Sequence, residues 1–120
     1  EPADIAPIVA KTLMGRRSTD AHFQQLVESI SVLHKNSYVK TIEASTYYDR
    51  SAGLERITVP TLLVYGGDDR LNSSALGREI CEKIKGSKFV EIPDAGHLCN
   101  IEAPAEFNAA ILRFLEEATA

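Results

Sequence analysis

The sequence predicts an α/β protein in which a helical segment, residues 1–53, leads into a parallel βαβ unit and a closing helix over residues 54–120. Three observations carry that expectation. Thr61-Leu-Leu-Val-Tyr65 is a continuous apolar run, suited to a strand covered on both faces. Lys88–Ile92 is a second strand-length run, and the stretch between the two carries apolar residues at helical spacing. Outside that unit the apolar residues again recur every three or four positions, the helical period.

Taken in order, Asp4 to Met14 reads as a short helix ended by Gly15, with Pro7 tolerable only in a first turn. Thr19 to about His34 reads as an amphipathic helix: Phe23, Leu26, Val27, Ile30 and Leu33 form its stripe, and Ser18 or Thr19 can cap it. Ser37 to Tyr48 is a third helix with a weaker stripe around Tyr38 and Ile42. A polar connection, Asp49 to Thr58, includes Gly53 and leads to Pro60, which marks the start of the first strand. Asn72 or Ser73 can cap a helix running to about Lys85, with Leu76, Ile80, Cys81 and Ile84 facing inward and Gly86 as a left-handed stop. After the second strand, Pro104 sits where a first helical turn accepts proline. Phe107, Ile111, Phe114 and Leu115 then form the buried face of the last helix.

The composition narrows the function. At 120 residues the chain fits one domain that buries about two thirds of its unfolded surface. Hydrophobic residues at 44% and charged ones at 25% argue against disorder, and no apolar run is long enough to span a membrane. A net charge of -4 with no basic patch beyond Arg16-Arg17 offers little to phosphates, which argues against a nucleic-acid partner. Cys81 and Cys99 lack zinc-site or disulfide-framework spacing, so a reducing cytoplasm is the expected compartment. The chain begins at Glu1 without a methionine or a signal-like region, and a processed or excised segment is expected.

A βαβ crossover leaves its strands parallel, so both end at the same edge of the sheet. Asp68 and Asp69 follow the first strand and His97 follows the second, where open α/β sheets place their sites. Strands ~4.8 Å apart let two short loops bring a carboxylate to an imidazole, the acid-base half of a Ser-His-Asp triad. Gly66-Gly67-Asp68-Asp69 is also good turn chemistry, and either aspartate could be the acid on this ground alone. His22 and His34 sit on helix surfaces without ligand partners, so solvent-exposed or capping roles are expected of them, and no metal site is predicted. Cys99, on a loop, is assigned a packing or pocket-lining role, and Tyr47-Tyr48 and Arg16-Arg17 are assigned to helix-end surfaces.

From about Leu54 to Ala118 the chain resembles the C-terminal part of the α/β-hydrolase family, on Gly66-Gly67-Asp68-Asp69, Ala95-Gly96-His97 and the Pro104-containing start of the last helix. His97-Leu98-Cys99-Asn100-Ile101-Glu102 with Pro104 and Phe107 is similar to the 3-oxoadipate enol-lactonases and related ester and lactone hydrolases. The resemblance implies that Asp69 is the catalytic acid and His97 the base, and that residues 1–53 follow the cap or lid. It implies no cofactor and an ester or lactone substrate. Leu71 and Leu98, beside the two catalytic positions, are expected to line the substrate pocket. No serine here sits in a Gly-x-Ser-x-Gly elbow and no His-Gly oxyanion segment is present, so the nucleophile is expected from an upstream half of the hydrolase. The rival reading is a non-enzymatic α/β binding or assembly module. In the family the strand at 61–65 has a second neighbour that would precede residue 1. Its bare edge is expected to pair copies of this chain as a homodimer, or else to aggregate.

Overall fold

The computed structural model describes residues 1–49 and 51–120; Arg50, in the polar connection, lies outside the described residues. Helix α1 (Pro2–Leu13) is followed by α2 (Asp20–Ser31) and α3 (Lys35–Thr46), then a 3₁₀ turn at Leu54–Arg56. Strand β1 (Leu62–Gly66), helix α4 (Ser74–Lys83) and strand β2 (Lys88–Ile92) form the βαβ unit, and α5 (Cys99–Glu102) and α6 (Pro104–Thr119) close the chain. Among the described residues no helix is long and apolar enough to cross a membrane.

The helices begin where the sequence supplies caps. Thr19 Oγ1 accepts the His22 amide at 3.2 Å, while His22 Nδ1 accepts the Thr19 amide at 3.3 Å, so His22 completes a reciprocal cap. His34 is the N-cap residue of α3 but makes no side-chain cap bond to the backbone; its Nδ1 lies 3.3 Å from Ser37 Oγ. Ser73 caps α4. Helix α1 starts earlier than the sequence suggests, with Pro2 in its first turn, and carries Pro7 in its interior. Proline there forfeits one backbone bond. The packing of α1 on α2, in which Ala6 and Ala10 are fully buried and Ile30 nearly so, offsets that loss. Helix α2 stops at Ser31, short of the expected His34, and Leu33 is left exposed.

Strands β1 and β2 are parallel, with Leu62 opposite Lys88 and Gly66 opposite Ile92. Helix α4 lies so close to them that Gly77 has no room for a side chain: a Cβ would stand 2.6 Å from the Tyr65 ring and 2.8 Å from that of Phe89. Those rings stack at 5.7 Å, and Arg78 lies over Phe89. Gly77, Ile80, Cys81 and Ile84 therefore face the sheet, and Leu76, expected inside, flanks the contact and is exposed. Gly86, at φ +79°, ends the helix region as predicted. The core is Ile92, Ala95, Cys99 and Ala103, with Val64, Val90 and Phe107 packed against it. Two expectations of deep burial fail. Leu62–Tyr65 are only half-buried, with a groove of about 610 Å³ open between Leu62, Val90 and α6, and Leu115, at the margin of its helix's apolar stripe, is exposed.

Candidate active site

Both strands end at one edge, and their loops are bonded to each other. Gly67 N–H donates to Ile92 O and Asp68 N–H donates to Ala95 O, each at 2.8 Å. Gly66 permits this approach, since a Cβ there would overlap the Ala95 and Gly96 carbonyls. Asp94 takes φ 61°, a left-handed turn that aspartate tolerates, and turns the second loop back over the first.

In this frame Oδ2 of Asp69 lies 2.9 Å from Nδ1 of His97. Oδ1 of Asp69 accepts the amides of Leu71 at 2.8 Å and Asn72 at 2.9 Å. The Asp69 side chain is 4% exposed and that of His97 34% exposed. An Asx turn thus pins the acid to its own loop while its second oxygen faces the imidazole. Nε2 of His97 has no partner among the described residues. The pair borders a cavity of about 220 Å³, together with Val64, Tyr65, Gly66 and Asn72. Burial raises the pKa of the Tyr65 hydroxyl above its ordinary value, and the Asp69 charge adds to the effect.

Asp68, the other acid of the loop, is engaged elsewhere: its Oδ2 accepts the Arg16 amide at 2.9 Å and faces the guanidiniums of Arg16 and Arg70. Leu71 and Leu98 do not line the cavity beside the pair. Leu71 is exposed beyond the Asx turn, and Leu98 caps α5. Cys99 opens α5 rather than lying on a loop; it is buried in the core, and that burial raises its thiol pKa. Arg16 and Arg17 are not simple helix-end charges. Arg16 pairs with Asp94 at 2.5 Å and Arg17 with Glu106 at 2.7 Å, fastening the corner after α1 to the histidine loop and to α6. Among the described residues no group of three or more His, Cys, Asp or Glu could hold a metal ion.

Glu102 has no role in the sequence reading beyond its place in the motif after His97. It is buried, and it accepts the amides of Gly15 at 2.9 Å and Gly96 at 2.7 Å. The available signal is an acid two residues before the Pro104 start of the last helix, in a stretch too short to read as a helix of its own.

A family model described as the alpha/beta hydrolase fold matches residues 9–104. Among curated proteins, 3-oxoadipate enol-lactonase 2 of Acinetobacter baylyi is 35% identical over 62% of this chain and 27% of its own length. Among solved structures, an esterase from Thermogutta terrifontis superposes with a TM-score of 0.90 at 24% identity, over 99% of this chain and 45% of that one. The enol-lactonase from Burkholderia xenovorans superposes at 0.89 with 25% identity, over 96% and 45% respectively. The chain spans about a third or less of the curated relatives it matches and under half of these structures.

Proposed function

Because the chain belongs to the alpha/beta hydrolase fold family, we propose that it forms the acid-base part of a serine hydrolase cleaving a carboxylic ester or lactone. Asp69 accepts a hydrogen bond from Nδ1–H of His97 and fixes the tautomer. Nε2 is then the general base that takes a proton from a serine hydroxyl and returns it to the leaving alcohol. The serine and the oxyanion donors come from polypeptide that is not among these 120 residues. The hydrogen bond between Asp69 and His97, with the acid buried and the ring partly open beside a cavity, is the observation that carries this reading. The named activities of the relatives, an enol-lactonase and an esterase, favour the ester and lactone class. Two free cysteines suit the reducing cytoplasm we assign to it.

A serine-reactive fluorophosphonate applied to a longer polypeptide that joins this chain to an upstream hydrolase half tests the reading. Labelling of one serine that is lost in His97→Ala supports it. Absence of any labelled serine favours a binding or assembly module. These 120 residues alone should not cleave activated esters faster than free imidazole does, because a general base without a nucleophile has nothing to activate. Saturable turnover abolished by His97→Ala would place a nucleophile within the chain.

A further inference from the structure

We propose that Glu102 is a positioning residue: its buried carboxylate holds the backbone of Gly96 against that of Gly15 and so sets where the His97 imidazole stands relative to Asp69. The proposal rests on reading His97 and Asp69 as the acid-base pair of a hydrolase. Glu102 is buried, at 6% exposure, and both its oxygens are spent on backbone amides.

Those amides meet at a crossing of two segments remote in sequence. A Cβ on Gly15 would overlap the backbone of Asp94–Gly96, and one on Gly96 would overlap that of Leu13–Gly15. Each of the two N–H donors meets its own oxygen, an arrangement that a carboxylate supplies, whereas a glutamine would turn an NH₂ donor toward one of them. Charge-assisted bonds of this kind are also stronger than neutral ones.

The crossing adjoins the site on both sides. His97 N–H donates to Leu13 O at 2.8 Å, two residues before Gly15. Arg16 N–H donates to Asp68 Oδ2 at 2.9 Å, and Asp68 N–H donates to Ala95 O at 2.8 Å. His97 itself and Asp68, the residue before Asp69, are thus fixed to one corner, Leu13 to Arg16. Glu102 is the piece that joins that corner to Gly96 through a side chain. It hangs from α5, whose first residue Cys99 and flanking Ala103 are buried in the core, so the anchor is firm. Without it, two buried donors lose their partners and the histidine loop is free to shift. A displacement of about 1 Å is enough to break a hydrogen bond of this length.

The test is solution NMR on the ¹⁵N-labelled chain, following the hydrogen-bonded Nδ1–H of His97, assigned by its loss in Asp69→Asn. In Glu102→Gln the cooperative unfolding transition should survive while that signal disappears. In Glu106→Gln, which only frees Arg17 at the surface, the signal should remain. A folded Glu102→Gln that keeps the signal unshifted overturns the proposal. Should that variant fail to fold, the unmodified chain decides. Low denaturant is expected to open the Gly15 and Gly96 amides to exchange and extinguish the ring signal in one step. A ring signal that outlasts both amides overturns it. None of these readouts depends on turnover, so failure to label a serine in the longer polypeptide defeats the hydrolase reading separately.

Discussion

Nδ1 of His97 stands 2.9 Å from Oδ2 of Asp69, although the acid's other oxygen is already bound to the amides of Leu71 and Asn72. The carboxylate is oriented by its own loop before it meets the ring. Acid-base hydrogen bonds in unliganded sites are often long and tighten only with substrate, so a bond already at full contact marks a preformed pair.

Asp69→Asn separates that orientation from the chemistry. The amide oxygen can keep the Leu71 and Asn72 bonds, but an N–H₂ then faces His97 and moves the ring proton to Nε2, the wrong tautomer for a base. In a polypeptide carrying the nucleophile, kcat should fall by about 10⁴-fold with little change in KM, by analogy with the equivalent change in serine proteases. Steady-state kinetics on the two forms checks this, and a loss smaller than about tenfold contradicts the assigned role.

Gly77→Ala tests the packing that aims the first loop. Its Cβ would lie 2.6 Å from Tyr65 and 2.8 Å from Phe89, whose stacked rings have little room to yield. Overpacking of this kind costs about 1–3 kcal/mol and should lower Tm by several degrees. Differential scanning fluorimetry gives the answer. An unchanged Tm would mean that α4 stands further from the sheet.

Cys99 should resist thiol reagents while Cys81 reacts. Burial raises the Cys99 pKa, so its reactive thiolate is scarcer at neutral pH than in the unfolded chain and grows only as the solution becomes more alkaline. Cys81 is half-buried beside Ser87 and accessible to small probes. Mass spectrometry after brief labelling at pH 7 should find the modification on Cys81, with Cys99 modified only after denaturation. Early labelling of Cys99 would show that the core around Ile92 opens.

Much of this arrangement is legible in the sequence, because the βαβ unit is encoded locally. Apolar runs at Leu62–Tyr65 and Phe89–Ile92, the Ser73 cap and the Gly86 stop each state their own position, and parallel connection then brings Asp69 and His97 to one edge. What escaped depends on contacts between remote segments. Pro7 sits inside α1 because Ala6 and Ala10 are buried against α2, which no local rule contains. Arg16 pairs with Asp94, and Glu102 bonds Gly15, across intervals that leave no periodic trace. Leu76 and Leu115 read as core because periodicity marks a stripe but not its edges.

The chain on its own should self-associate. A folded monomer of 13.1 kDa exposes about 6,400 Å². Here the accessible surface is 8225 Å². The radius of gyration is 16.0 Å where about 14 Å is usual for this length. The excess surface, about 1,800 Å² on one chain, is more than the roughly 800 Å² that each partner buries in a standard protein interface. Its source is visible. β1 has one partner strand among the described residues, so the outer edge of Leu62–Gly66 is bare, and the groove between the sheet and α6 leaves Leu62, Val90 and Phe114 uncovered on one side. α3 buries none of its residues. An unpaired edge beside apolar side chains is a template for a second copy, and a two-fold pairing of β1 with β1 would close it. Light scattering over a concentration series should report a dimer or larger species in the micromolar range, shifted toward monomer by Leu62→Lys, which sets a charge at the edge. A monodisperse monomer with a cooperative thermal transition would show instead that this edge is tolerated bare, and that the chain's stability rests on α1, α2 and the Ile92 cluster alone.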